Sequence, residues 1–290
     1  MGASSSKPWR KLVKDTFEEC EEYYKKKIKE LSVLKNEYNV VIIGPTGAGK
    51  SSYINSMFTI LDEDYANVAQ IRANGIKCTL KCTAYSTEKT EGLMCNVKII
   101  DTMGIQTDGK GIQEDNLIAV LDGKIKIGNV DEEEEVTEGN NKYRPHAVII
   151  VVSALNIDSL SPDSVWLTEY EQIFNRIPND VKPLVVITHC DQLGDVNGDL
   201  KKIYFSSKLV SVIETIKEKI GVTQENIFPV ANYVGESARH ITTMQNITVH
   251  IMPPREKEGV IEAKASETIG RRAARDSIRK MAKPLSLAMS

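Results

Sequence analysis

The sequence predicts an α/β protein: a three-layer αβα arrangement around a mostly parallel sheet with one antiparallel hairpin at its edge. Three observations predict it. Apolar runs of strand length alternate with segments of helical period. A glycine-rich loop, Gly44 to Ser51, separates the first apolar run from the first helix. Two later apolar runs, 97–100 and 184–188, each lead into a carboxylate, Asp101 and Asp191.

In chain order, residues 1–6 are small and polar. Trp9, Leu12, Val13, Phe17, Cys20, Tyr24, Ile28, Leu31 and Leu34 then recur at helical spacing, which predicts a long amphipathic helix within a segment 1–36. The main domain is expected over 37–252. It opens with the apolar run Tyr38–Ile43, the glycine-rich loop and a helix from Lys50 to Leu61.

Segments 77–86 and 95–102 read as strands joined by the polar turn 87–92, short enough for an antiparallel hairpin. Further strands are predicted at Ala147–Ser153, 184–188 and 227–231, with helices at 116–121, 165–177 and 209–220. Ser161-Pro162 starts the second of these helices and Gly221 ends the third. Near-continuous apolar strands imply a sheet covered on both faces, with a ligand at the strands' carboxyl ends. Asp131 to Glu135, with Glu138, Gly139, Asn140 and Asn141, reads as a solvated acidic loop. Beyond Pro253-Pro254, residues 253–290 form a basic tail, helical or disordered, carrying Arg271, Arg272, Arg275, Arg279, Lys280 and Lys283.

A composition of 41% hydrophobic and 27% charged residues supports a packed core without metals or disulfides. Net charge −3 gives no global electrostatic reason to expect nucleic acid. The longest apolar stretch, 147–154, is far short of the roughly 20 residues of a membrane-spanning helix. Five widely spaced cysteines point to free thiols in a reducing, cytoplasmic setting. Cys78 and Cys82 have no second ligand pair nearby for zinc and read as buried hydrophobes.

Gly44, Gly49, Lys50 and Ser51 satisfy G-x-x-x-x-G-K-[ST], the P-loop of nucleotide-binding domains. Its glycines let backbone N–H groups of Thr46, Gly47, Ala48, Gly49 and Ser52 face phosphates. Lys50 reaches the β/γ oxygens and Ser51 ligates Mg²⁺. Asp101, at the end of an apolar strand and followed by Thr102-Met103-Gly104, supplies the second acid on Mg²⁺, with Gly104 offering a backbone N–H to a γ-phosphate. For the threonine that completes the metal shell, Thr79 is the first choice and Thr83 the second. Either can equally be an ordinary β-branched strand residue. Thr188-His189-Cys190-Asp191 closes a strand and places a carboxylate where guanine offers N1–H and its 2-amino group. The ligand is thus GTP or GDP, and the domain is a P-loop GTPase, or G domain. Asp191 can also be read as a turn-capping loop carboxylate.

These motifs carry a resemblance. The P-loop, Asp101 to Gly104, Thr188 to Asp191, the stretch 147–158 and the stretch 221–233 together resemble the interferon-induced protein forty-four family. More distantly, the chain is similar to the immunity-associated GTPases and the septin-like branch. The resemblance spans roughly 38–233. It implies a GTP-binding domain linked to immune or stress responses, and it sets Asn232 and Tyr233 at the last guanine-binding loop.

Two departures bear on activity. The usual base motif has asparagine and lysine where this chain has Thr188 and His189, so guanine selectivity leans on Asp191. Ile105 follows Gly104 where Ras-like enzymes hold the water-orienting glutamine, and Gln106 comes one position late. Slow hydrolysis is expected unless a partner, a homodimer or a backbone-held water substitutes. A nucleotide-dependent scaffold is the alternative. An ATP-using enzyme is a third reading, for which no phosphoacceptor site is evident.

Met1-Gly2-Ala3-Ser4-Ser5-Ser6 fits the N-myristoylation pattern at Gly2, and Lys7, Arg10, Lys11 and Lys14 precede any acid. One acyl chain plus a basic patch suffices for reversible peripheral membrane binding. An unmodified leader is the alternative. Trp9, Leu12, Val13 and Phe17 either enter the lipid interface or pack on the G domain.

Overall fold

A computed structural model describes residues 8–10, 19, 22–23, 26, 38–61, 67–69, 82–86, 97–102, 104, 114–127, 133–135, 143–156, 174–179 and 181–232. All lie in the first of two units, Met1–Ile251; the second, Met252–Ser290, falls outside the described residues, and with it the basic tail.

Strands β1 (Tyr38–Ile43), β2 (Thr83–Ser86), β3 (Val97–Asp101), β6 (Ala147–Ser153), β7 (Lys182–Thr188) and β8 (Ile227–Pro229) build one sheet in the order β2-β3-β1-β6-β7-β8. Every neighbouring pair is parallel except β2 and β3, which pair antiparallel at the edge as expected. Both faces are buried. Val41, Ile43, Val148, Ile150, Val185 and Ile187 point into one core and Val40, Ile42, Ile149, Val151, Leu184 and Val186 into the other. This is why the strands read as unbroken apolar runs. Burying each such isoleucine or valine contributes roughly 1.5–3 kcal/mol.

Among the described residues, helices pack on both faces. Helix α1 (Lys50–Leu61) sets Tyr53, Ile54, Met57 and Phe58 into the second core. Helices α2 (Glu114–Leu121) and α3 (Ser207–Ile220) supply Leu117, Val120, Leu121, Leu209, Val212, Ile213 and Ile216 to the first. The start of α3 is held by Ser206, whose Oγ accepts from Leu209 N and donates to the Asp195 carboxylate at 2.9 Å. Gly221, at φ 73°, ends it as expected, its N–H donating to Lys217 O.

Three expectations are corrected. The acidic loop is not wholly irregular: β5 (Glu133–Glu135) pairs antiparallel with β4 (Ile125–Ile127), in a register that sets Lys126 opposite Glu134. Strand β7 starts at Lys182, two residues early, because Pro183 occupies a register position in the β6 pairing rather than breaking the strand. Trp9 sits in a bend rather than the helix and packs on the domain. Its N–H and indole Nε1–H donate to the carbonyls of Tyr204 (3.0 Å) and Ile203 (2.9 Å), and its ring stacks on Tyr204. Gln224 Nε2 donates to Trp9 O at 2.8 Å. The Arg10 guanidinium lies over Trp9 and Phe228 and donates to Gln224 O, so this cation of the basic patch is committed to the domain. Glu19, Glu22, Tyr23 and Lys26 are helical. The helix at 165–177 lies outside the described residues for most of its length.

Candidate nucleotide site

The site lies where β1, β3, β6 and β7 end. β1 runs into Gly44, whose close approach to β6 leaves no room for a side chain: a β-carbon there would fall 2.3 Å from Val151 O. The loop closes on Gly49, at φ 88°, and enters α1, whose first turn carries no acid. A helix start without acids, approached by a glycine loop, is favourable to phosphate. Lys50 is buried, and its ammonium donates to the carbonyls of Gly44 (2.9 Å) and Pro45 (3.0 Å). Ala48 is fully buried, and Ser52 O accepts from Ser56 Oγ at 2.8 Å.

Ser51 Oγ donates to Asp101 Oδ2 at 3.1 Å, joining the two expected metal ligands between the first turn of α1 and the end of β3. Asp101 is 2% exposed, and its Oδ1 is buried without a hydrogen-bond partner. Burial pushes its carboxyl up to about 6, against the opposing pull of Lys50 and the Ser51 hydroxyl. An orphaned buried carboxylate oxygen beside a serine hydroxyl suits a hard divalent cation such as Mg²⁺. Thr102 fastens β3 to β1, its Oγ1 donating to Ile42 O at 2.8 Å. Gly104 packs on the loop so tightly that a β-carbon would lie 2.3 Å from Thr46 Oγ1.

The end of β7 and the turn after it are tied to the same loop. Thr188 Oγ1, fully buried, lies 2.7 Å from Ala48 O, to which it donates, and 3.2 Å from Val152 O. Asn232 Nδ2 donates to Gly49 O at 3.2 Å, and Asn232 Oδ1 is buried with no partner. His189 adopts φ 57°, which turns the chain from β7 into a short 3-10 segment, Cys190–Gln192, that carries the half-buried Asp191. Cys190 N–H donates to Val230 O, joining this turn to the end of β8, and burial pushes the Cys190 thiol up, so it is an inert packing group. Burial lowers the His189 imidazole from its ordinary value, with Asp191 opposing.

The structure therefore brings together Gly44, Thr46, Ala48, Gly49, Lys50, Ser51, Asp101, Gly104, Thr188, His189 and Asn232, with Asp191 on the adjoining turn. Thr83 belongs to β2, opposite Asp101 in the ladder. Thr79, Tyr233, Gly2, Ile105 and Gln106 lie outside the described residues. Sequence reasoning missed Ser153, whose Oγ is 3.0 Å from His189 Nδ1. Its one signal is a polar residue closing an otherwise apolar strand.

A parallel sheet whose carboxyl ends gather a P-loop lysine, a serine–aspartate pair and a turn carrying a carboxylate after β7 is the fold and site of a P-loop GTPase. The match to known proteins agrees: the chain belongs to the family described as 50S ribosome-binding GTPase, matched over residues 39–188. It is a distant relative of human interferon-induced protein 44, 24% identical over 215 residues, 70% of this chain and 48% of that protein. Human interferon-induced protein 44-like is also 24% identical, over 70% of this chain and 47% of its own length. The chain thus spans about half the length of the curated relatives it matches. A solved chloroplast translocon component is 18% identical, covering 87% of this chain and 98% of its own, with TM-score 0.49.

Proposed function

We propose that this GTP-binding domain acts as a Mg²⁺-dependent switch with slow or partner-dependent hydrolysis, operating in the cytoplasm at a membrane surface. The observation that carries it is the Ser51–Asp101 pair with its unpartnered Oδ1 beside Lys50. Those residues would hold Mg²⁺, which when bound supplies charge neutralisation at the β- and γ-phosphates. Ile105 supports slow turnover, since no glutamine directly follows Gly104 to orient water. The N-terminal pattern at Gly2 supports a myristoyl anchor, and the interferon-induced relatives support a role in immune or stress response.

Titration with fluorescent GDP and a non-hydrolysable GTP analogue tests the reading. Wild type binds both and binds more weakly once EDTA removes Mg²⁺, while Lys50→Ala binds neither. Equal competition by ATP sinks the guanine assignment. Rapid single-turnover hydrolysis by monomeric protein removes the slow-switch reading. Radiolabelled myristate retained by Gly2→Ala removes the anchor. Ile105 also favours a second reading, a scaffold in which nucleotide sets conformation or homodimerisation and turnover is incidental. Mass measurement in each nucleotide state separates the two.

A further inference from the structure

The last residue of β6 is Ser153, 6% exposed. Its Oγ accepts from Leu155 N–H at 3.2 Å and lies 3.0 Å from His189 Nδ1. Thr188 Oγ1 is also 3.0 Å from that nitrogen. Each hydroxyl has one proton to place. That of Thr188 is engaged by Ala48 O at the shorter distance, 2.7 Å, so Thr188 has none for the imidazole. Among the described residues the Ser153 proton has one acceptor in reach, His189 Nδ1, and a buried hydroxyl left without an acceptor costs about 1–3 kcal/mol. Nδ1 is then unprotonated, and the neutral ring carries its proton on Nε2.

We propose that Ser153 is a positioning residue for base recognition: by donating to Nδ1 it holds His189 in the Nε2–H tautomer, so the base-reading turn presents a neutral N–H donor. The ring belongs to the site, since Cε1 would lie 3.4 Å from a β-carbon on Gly49 of the phosphate loop. Guanine carries two acceptors, O6 and N7, whereas adenine replaces O6 with an amino donor. A donor at His189 therefore complements the acceptor at Asp191 and adds to guanine selectivity, standing in for the lysine of the usual motif. The proposal rests on the guanine-nucleotide reading and deepens it.

Protonation of Nδ1 destroys the arrangement, because Ser153 can no longer donate to it. Among the described residues, Ser153, Thr188 and Gly49 lie against the ring and are uncharged; Asp191 is the charged neighbour and favours the imidazolium, while burial disfavours it. Removing the Ser153 hydroxyl removes the bond that selects one tautomer of the neutral ring, so Ser153→Ala populates both tautomers.

Long-range proton–nitrogen spectra of the full ¹⁵N-labelled chain read the tautomer directly, with the His189→Gln spectrum assigning the signal among the 4 histidines. Wild type and Ser153→Thr show Nε2–H, and Ser153→Ala shows a tautomer mixture. Affinity for fluorescent GDP is measured in parallel between about pH 5.5 and 8. Wild type weakens on acidification; Ser153→Ala is about five- to tenfold weaker near neutrality, and Ser153→Thr restores the affinity. An Nδ1–H tautomer in wild type overturns the proposal, as does a Ser153→Ala affinity equal to wild type. Wild type with the Nε2–H tautomer but no affinity for GDP at any pH overturns instead the guanine reading, and with it the recognition role of Ser153.

Discussion

Gly104 lies flush against Thr46: a β-carbon on Gly104 would fall 2.3 Å from Thr46 Oγ1, 2.7 Å from its amide nitrogen and 2.8 Å from its α-carbon. The segment after β3 thus touches the phosphate loop through backbone, and whatever moves one moves the other.

Gly104→Ala tests that contact. The threonine hydroxyl can rotate away, but its backbone cannot, so the loop or the segment must shift. Overpacking of this kind costs about 1–3 kcal/mol. The expected result is roughly a five- to 140-fold loss of affinity for a GTP analogue, each 1.4 kcal/mol being tenfold. An unchanged titration curve would show that the contact yields freely.

Thr188→Val removes one hydroxyl and keeps the shape of the side chain. Ala48 O loses its bond from β7 in a buried position, which costs about 1–3 kcal/mol. Both the unfolding midpoint and guanine-nucleotide affinity are expected to fall, because the same bond connects the end of β7 to the phosphate loop. A fall in stability alone would separate the two roles.

How much of this was legible beforehand follows from where the information resides. Strands β1 and β6 were read to the residue, because an apolar run bounded by glycine or polar residues carries its own limits. The carboxylates Asp101 and Asp191 were legible because each closes such a run. Ser153 was not: its role depends on a histidine 36 residues away, and a serine at a strand end looks like an ordinary terminus. The pairing of Glu133–Glu135 was hidden by charge, since β-propensity is low for glutamate and the partner strand Ile125–Ile127 is too short to show alternation. Trp9 fitted a helical period by spacing alone, and only the carbonyls of Ile203 and Tyr204, some 194 residues on, reveal why it leaves that helix.

Asp101 gives a pH dependence with a definite sign. Folding raises its carboxyl from 3.8 to about 6, so in that window the folded chain holds a proton the unfolded chain has released. The folded state binds more protons there, and this group's contribution to stability declines as pH rises through the window. Asp101→Asn should therefore stabilise the nucleotide-free domain at neutral pH, by on the order of 2 kcal/mol, with little difference near pH 4. Thermal unfolding at the two pH values checks it. The same variant should lose the Mg²⁺ dependence of nucleotide binding, so a gain in stability accompanies a loss at the site.

Trp9→Ala tests whether the N-terminal segment is part of the domain. The side chain gives up its stack on Tyr204 and the indole bond to Ile203 O, and leaves the Arg10 guanidinium over Phe228 alone. For a partly buried tryptophan the expected cost is about 1–3 kcal/mol, below the 3–5 kcal/mol of a fully buried one. The acceptor carbonyls belong to the 3-10 segment Leu200–Phe205, which is separated by residues 193–199 from the turn Cys190–Gln192 and leads through Ser206 into α3. A lowered unfolding midpoint with nucleotide affinity unchanged would mean that the clamp only adds stability. A drop in guanine-nucleotide affinity as well would mean that it also braces the turn carrying Asp191. By linkage, nucleotide binding would then tighten the hold on residues 8–10 by the same factor, coupling the site to the segment that follows Gly2.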